Sequence, residues 1–312
     1  MTSQAIVRYN IHMEKFSVIE FFKEYPTEES AVKFFEDLRW DNGVACPYCE
    51  SKNIASCKVP MPYRCRDCRK HFSIRVGTIL NESKLPLQKW LLAIYILTNS
   101  KKGTSSIQLA EMIGTTQKTA WFLAHRIRET WFSNENQFEG AVEVDETFIG
   151  GKEKNKHVKD KANKGRGAVG KSTVVGVLSR DKSQVKAVVV NDTTEQTLTG
   201  IIRKNVKPGS CVYTDEFRAY TRLDEFNHEK VKHSMGEYVK FQAHTNGIES
   251  FWAILKRGFY GVYHSWSKKH LHRYVNEFSN RFNLRTLSAT NKVRLSVYIG
   301  LDKKLSYKEL TK

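Results

Sequence analysis

No apolar run in this 312-residue sequence is longer than Trp90–Leu97, far short of the roughly 20 residues that cross a bilayer. The first 20 residues hold no apolar h-region, so no signal peptide is read and a cytoplasmic, nucleoid-associated protein is expected. Internal repeats are absent. At 40% hydrophobic and 27% charged residues the composition is not that of a disordered chain. Acids are scarce beside bases: 33 Asp and Glu face 51 Lys and Arg, a net charge of +18. Such an excess makes a polyanion the first candidate partner, with a generically basic surface as the alternative. The bases are also unevenly placed. Residues 14–42 carry eight acids and four bases, whereas 250–312 carry three acids and thirteen bases. Localisation of this kind is what a nucleic-acid footprint requires, and the acidic stretch is not expected to lie on DNA. At roughly 100–200 residues per domain, the length predicts two or three domains.

Only six cysteines occur, and four of them form two C-x-x-C pairs, Cys46/Cys49 and Cys65/Cys68, separated by fifteen residues. Without a secretory signal this spacing points to metal and not to disulfides. Zinc takes four thiolates tetrahedrally, each C-x-x-C knuckle supplying two from one side, and a β-hairpin between the knuckles makes a zinc ribbon. Four thiolates close the site, so the ion is expected to be structural. Cys57 and Cys211 are left out of the set. Arg64, Arg66, Arg69, Lys70 and Arg75 crowd the second knuckle and are candidates for phosphate contact, against plain solvated charge as the alternative.

Hydrophobic periodicity predicts helices over 17–42, broken at Pro26, with Thr27 capping the second and no reciprocal capping-box partner at Ser30. It predicts another over Leu85–Thr98 with Pro86 in the first turn. Residues 104–129, with a turn at Gly114 and a second helix from about Gln117 to Glu129, resemble a helix-turn-helix, although an αα-hairpin in a core would show the same pattern. From Ala141 the texture changes to strands: Val142–Asp145, Thr173–Leu178, Val185–Val190 and Cys211–Thr214, with a helix over about 194–205. This order predicts an α/β domain with a mixed sheet. A basic insertion, 152–171, is read as a loop. The expected organisation is a helical segment (1–43), a zinc ribbon (44–80), a helix-turn-helix region (81–135), an α/β domain (136–288) and a basic carboxy-terminal tail (289–312).

Three acids stand out in the α/β half. Asp145 ends an alternating strand on the face opposite Val142 and Val144, Asp215 follows a strand, and Glu249 lies on a helix outside its apolar stripe, with Lys256 two turns along the same face. Glu143 shares the strand face of Asp145 and is expected as an outer-shell acid, while Glu146 and Glu216 are expected to point elsewhere. If the three acids converge they repel unless cations neutralise them, and a pair of Mg²⁺ ions is the usual answer. His244, His264, His270 and His272 are read as structural or phosphate-contacting and not as ligands.

The blocks Val-Glu-Val-Asp145-Glu-Thr-Phe-Ile-Gly-Gly151, Tyr-Thr-Asp215-Glu-Phe-Arg-Ala-Tyr220 and His-Thr-Asn246-Gly-Ile-Glu249-Ser-Phe-Trp252-x-x-Leu-Lys256-Arg resemble, in combination, the catalytic blocks of DDE transposases of insertion sequences. The similarity is greatest to the ISXO-type group, which also carries an amino-terminal zinc ribbon, and it covers roughly residues 20 to 288. It implies an RNase H-like catalytic domain with Asp145 and Asp215 as ligands of Mg²⁺ or Mn²⁺. The third position is Asn246 or Glu249; Glu249 is preferred because a carboxylate holds a hard cation better than an amide. Lys256 is then expected near the cut phosphate. The implied activity is cleavage at the element's terminal inverted repeats followed by strand transfer into target DNA, in a homodimer or larger assembly because two ends must be joined. A domesticated DNA-binding protein would have no need of the three acids. An RNase H-like nuclease that cuts without joining would not need the helix-turn-helix. A zinc-ribbon transcription factor would leave the whole α/β half unexplained.

Overall fold

The computed structural model describes residues 16–58, 61–131, 136–151, 170–220, 222–231 and 244–312. Its first helices are set by capping chemistry. Helix α1 (Val18–Glu24) starts at Ser17, whose hydroxyl accepts from the Glu20 N–H while the Glu20 carboxylate accepts from the Ser17 N–H. Helix α2 (Glu28–Arg39) starts at Thr27 in the same reciprocal way, with the Thr27 N–H donating to the Ser30 hydroxyl at 3.2 Å. The capping box expected to be missing is therefore present. The Ser30 hydroxyl donates its own proton to the Thr27 carbonyl, leaving a lone pair for the Thr27 N–H and taking the place of the usual Glu or Gln.

Strands β1 (Ile54–Ser56), β2 (Tyr63–Cys65) and β3 (His71–Phe72) form a small antiparallel sheet in that order. It packs on α2 through Trp40, Tyr63 and Phe72, and Arg39 donates to the carbonyls of Ile74 and Val76. Helix α3 (Leu87–Asn99) is the predicted apolar helix, nearly all buried. Its N-cap position is Pro86, which has no capping group, so the Glu28 carboxylate of α2 accepts from the Leu87 and Gln88 N–H groups at 2.7 and 2.9 Å. Helices α4 (Ser106–Ile113) and α5 (Gln117–Thr130) are joined by three residues. Gly114 takes φ +60° there, a left-handed value that glycine adopts without strain.

The middle of the chain forms a five-stranded mixed sheet from β4 (Ala141–Ile149), β5 (Ser172–Ser179), β6 (Gln184–Val190), β7 (Cys211–Thr214) and β8 (Asn227–Lys230), in the order β6-β5-β4-β7-β8. The first three strands are antiparallel; β7 runs parallel to β4, and β8 parallel to β7. Helix α6 (Glu195–Asn205) covers the face bearing Val142, Val144, Val175 and Val177. Helices α7 (Asn246–Gly258) and α8 (Leu271–Asn283) cover the face bearing Val174, Leu178 and Val185. Two sequence expectations change here. Strand β4 does not end at Asp145 but runs on to Ile149, because residues 146–149 stay paired with β5. Strand β8 was not anticipated, since Asn-His-Glu-Lys has neither alternation nor apolar residues; it is a charged edge strand, which discourages pairing with other chains. The basic insertion at 152–171 lies, except for its last two residues, outside the described residues.

The chain divides into two compact units, one of residues up to 131 with 286–312, the other of residues 132–285. The segment 289–312, expected as a tail, is instead α9 (Ala289–Gly300) and α10 (Tyr307–Thr311). Helix α9 is part of the first unit's core, burying Val293 and Val297, with Leu301 just beyond it. Charge at its surface hid this apolar i, i+4, i+8 row. Among the described residues no helix is long and apolar enough to cross a membrane.

Removing 286–312 should therefore unfold the first unit. Three buried aliphatic side chains represent about 5–9 kcal/mol at about 1.5–3 kcal/mol each, comparable to the whole stability of an ordinary domain. Hydrogen exchange should show loss of protection across α3 and α5 in the truncated chain. Retained protection would restore the tail.

Candidate active site and zinc centre

The two knuckles come together as expected. The sulfurs of Cys46, Cys49, Cys65 and Cys68 all lie within 4.8 Å of one another, with Cys46–Cys68 and Cys49–Cys65 each at 3.6 Å. Four thiolates at about 2.3 Å from a tetrahedral zinc ion are about 3.8 Å apart, so the quartet fits the ion. The Cys68 N–H donates to the Cys65 sulfur and lowers that thiol, whereas burial and the hydrogen bonds shared within the quartet raise Cys49; a bound metal takes all four as thiolates. Cys57 and Cys211 are outside the quartet. Of the five bases near the second knuckle, Arg64, Arg66, Arg69 and Lys70 are exposed. Arg75 is different: it is half-buried, donates to the Ser83 carbonyl at 3.0 Å and pairs with Glu28. It belongs to the internal structure and not to the basic surface.

The acidic site is built on β4. Side chains alternate across a strand, so Val142 and Val144 face α6 while Glu143 and Asp145 face α7. Glu143 is 1% exposed. One of its carboxylate oxygens accepts from Arg180 at 2.7 Å, and His244 Nδ1 lies 3.3 Å from the same oxygen. The other accepts from the Ile248 N–H at 2.9 Å. Thr245, at the N-cap of α7, makes no capping bond with its side chain, so Glu143 caps α7 from across the fold. Gly247 permits the approach: a Cβ there would fall 2.9 Å from a Glu143 oxygen.

Asp145 accepts from the Trp252 indole N–H at 2.9 Å. The β4–β7 register sets Glu143 against Tyr213; Asp145 is two residues further along β4 and Asp215 just past the end of β7, near enough for its charge to act on Asp145. Burial pushes the Asp145 carboxyl up to about 7, and the charges of Glu146 and Asp215 add to the effect. Asp215 is fixed by its own turn, Oδ1 accepting from the Phe217 N–H at 3.0 Å. Behind it, Thr214 donates to the Asp215 carbonyl and lies 2.9 Å from His228 Nε2. Glu146 points to the opposite face, as expected, and accepts from the Tyr220 hydroxyl at 2.7 Å. Its carboxyl is nonetheless raised, by burial first and by the Asp215 charge, so it belongs to the same electrostatic cluster. Glu216 is exposed.

Glu249 and Asn246 are exposed in the first turn of α7, and Glu249 accepts from the Thr245 hydroxyl at 2.8 Å. At about 100° per residue, Glu249 and Lys256 lie on one strip of α7, roughly 40–60° round from Trp252. Lys256 is exposed too. The cysteine quartet is the one set of three or more ligand atoms within 4.8 Å of one another among the described residues. Asp145, Asp215 and Glu249 are thus not closed into a single ligand set: the two aspartates are adjacent and Glu249 stands on the neighbouring helix. The donor chemistry of the aspartates suits a hard divalent cation, and their mutual charge is what such an ion would relieve. His270 is buried with Nδ1 3.2 Å from Arg273, and the other named histidines are in no metal cluster among the described residues. Sequence reasoning missed Trp252, Arg180 and Tyr220. Gly176 in the run Val-Val-Gly-Val was the available signal, since glycine inside a strand marks a close approach.

A family model described as ISXO2-like transposase domain matches residues 137–283, and one described as transposase zinc-ribbon domain matches residues 26–71. The second match begins before α2, the helix on which the ribbon packs. A protein of Halobacterium salinarum, described as an uncharacterized protein in transposable element ISH50, is 31% identical over 273 residues, covering 83% of this chain and 92% of that protein. An uncharacterized transposase-like protein of Haemophilus influenzae is 41% identical over 107 residues, 33% of this chain and 83% of that protein.

Two substitutions test this geometry. Cys65→Ser should lower bound zinc well below one equivalent and melt the ribbon, because metal affinity and folding are linked; one full equivalent by atomic absorption would refute the four-ligand site. Glu143→Ala removes the acceptor of the Arg180 Nε–H and of the Ile248 N–H, so denaturant unfolding should show a loss of roughly 2–4 kcal/mol. A loss under about 0.5 kcal/mol would mean that water or another group caps α7.

Proposed function

From a chain that belongs to the ISXO2-like DDE transposases of insertion sequences, with their amino-terminal zinc ribbon, we propose an enzyme that binds the ends of its element, cuts them and joins them to target DNA. The observation that carries this reading is the closeness of Asp145 on β4 to Asp215, the residue that follows the parallel strand β7, with the Asp145 carboxyl pushed up to about 7 by burial and by the charges of Glu146 and Asp215. A DNA-binding protein gains nothing from half-buried, mutually repelling acids beside phosphates. The sheet, three antiparallel strands extended by two parallel ones with helices on both faces, supports an RNase H-like domain over 136–288.

Asp145 and Asp215 would hold Mg²⁺ or Mn²⁺, with Glu249 joining from α7 in preference to Asn246. The bound cations supply activation of the attacking oxygen and stabilisation of the leaving one. Water attacks a phosphodiester at each end, breaking its P–O3′ bond and freeing a 3′-hydroxyl, which then attacks a target phosphodiester in line and displaces the target strand's own 3′-oxygen. Both nucleophiles come from water and DNA, so no covalent protein intermediate forms. Lys256, exposed on the strip of Glu249, contacts the phosphate near the cut. The other regions take binding roles. In the 81–135 region, α4 and α5 act as a helix-turn-helix, with the exposed Gln117, Lys118 and Thr119 at the start of α5 toward base edges. The ribbon, 44–80 behind the helical segment 1–43, offers Arg64, Arg66, Arg69 and Lys70 to phosphates. Joining two ends calls for a homodimer or larger assembly.

The test is a labelled element end incubated with Mg²⁺. Wild type should nick and join, whereas Asp145→Asn should lose at least a thousandfold of cleavage with end binding within about threefold, because the binding regions are untouched. Binding without cleavage by the wild type would make it a domesticated binding protein, and cleavage without joining a nuclease.

A further inference from the structure

Trp252 and Gly176 form a device around Asp145 that the proposed chemistry has not used. Gly176 on β5 is paired directly with Asp145 on β4. A Cβ at 176 would fall 2.7 and 2.8 Å from Cζ2 and Cη2 of the Trp252 indole, and 2.7 Å from Ile248 Cδ1. These are rigid, buried atoms, the indole being 4% exposed and wedged against Phe251 at 5.0 Å between ring centroids. The glycine therefore leaves the space through which the indole crosses β5. At the end of that path the N–H, the only polar group of the side chain, donates to Asp145 Oδ2 at 2.9 Å. A tryptophan needed only as core filling could turn that N–H toward any acceptor, and this one meets an acid of the candidate site.

We propose that Trp252 is a positioning residue: its indole N–H fixes the plane of the Asp145 carboxylate in advance of the divalent cation, and Gly176 is the cavity that makes the reach possible. This rests on the reading of Asp145 as a metal ligand. Partners that orient a ligand commonly change metal affinity by about 10–100-fold when removed. The effect acts through Asp145 alone, and zinc in the cysteine ribbon is not touched by it.

The experiment measures Mn²⁺ binding to the full-length, DNA-free protein by calorimetry and by the loss of the free-ion paramagnetic signal. The informative variant carries 3-benzothienylalanine at position 252, which keeps the fused ring and replaces the N–H by sulfur. We expect Mn²⁺ binding weakened about tenfold, with melting temperature and zinc content unchanged. Gly176→Ala, which keeps the N–H but displaces the ring, should weaken Mn²⁺ to a similar degree. In an Asp145→Asn background the benzothienyl replacement should have no further effect. Wild-type affinity in the benzothienyl variant would overturn the inference, leaving the indole as packing. Failure of the wild type itself to bind Mn²⁺ in an Asp145-dependent way would instead overturn the reading of Asp145 on which it rests.

Discussion

A buried carboxylate on β4 ties the second unit together. Glu143 accepts from Arg180 on one oxygen and from the first turn of α7 on the other, and two residues on Asp145 receives the Trp252 indole. Two steps along a strand span about 6.7 Å, and the four residues from Ile248 to Trp252 span about 6 Å of helix. Strand and helix thus meet at matching intervals, in the same direction. The consequence is functional as much as structural. The helix that bears Glu249 and Lys256 cannot slide by one residue without breaking a charged hydrogen bond inside the core, so the position of Glu249 is set by the same strand that carries Asp145.

The same solution appears in the first unit, where Glu28 caps α3 from α2 because Pro86 cannot. Each of the two helices begins without a side-chain cap of its own and takes one from a glutamate far away in sequence. A local cap is indifferent to tertiary structure, whereas a remote one forms only when the two elements are correctly docked. Each such bond therefore favours one arrangement over its near competitors.

The two metal chemistries differ in how completely they are assembled. Four soft thiolates form a closed set with nothing left to offer a substrate. The hard oxygens of Asp145 and Asp215 sit beside each other with Glu146 behind them, so their negative charge is concentrated within a chain of net charge +18. DNA phosphates would be drawn by the basic surface and repelled at the acids themselves. A divalent cation at the acids, as proposed, would resolve that conflict.

Much of this was legible in the sequence, and the exceptions share a cause. The cysteine quartet follows from spacing alone, because C-x-x-C geometry is local. The core strands and α3 follow from apolar periodicity. The faces of Glu143, Asp145 and Glu146 follow from alternation along β4. Strand β8 was missed because an edge strand of Asn-His-Glu-Lys is held by backbone bonds to β7, which no side-chain pattern reveals. Trp252 stood in a quoted block without a role, since a motif records which residue is present and not which atom its ring presents. Helix α9 was taken for a tail because charge counts average over both faces of a helix.

Because residues 286–312 complete a unit begun more than 150 residues earlier, the order of synthesis and the order of folding differ. The ribosome delivers the whole five-stranded sheet before it delivers Val293 and Val297. At about 5–20 residues per second, the newborn chain spends some seconds with its acids in place and its first unit still open. Folding of the first unit, and whatever that unit does, thus waits on residues translated after the whole of the second.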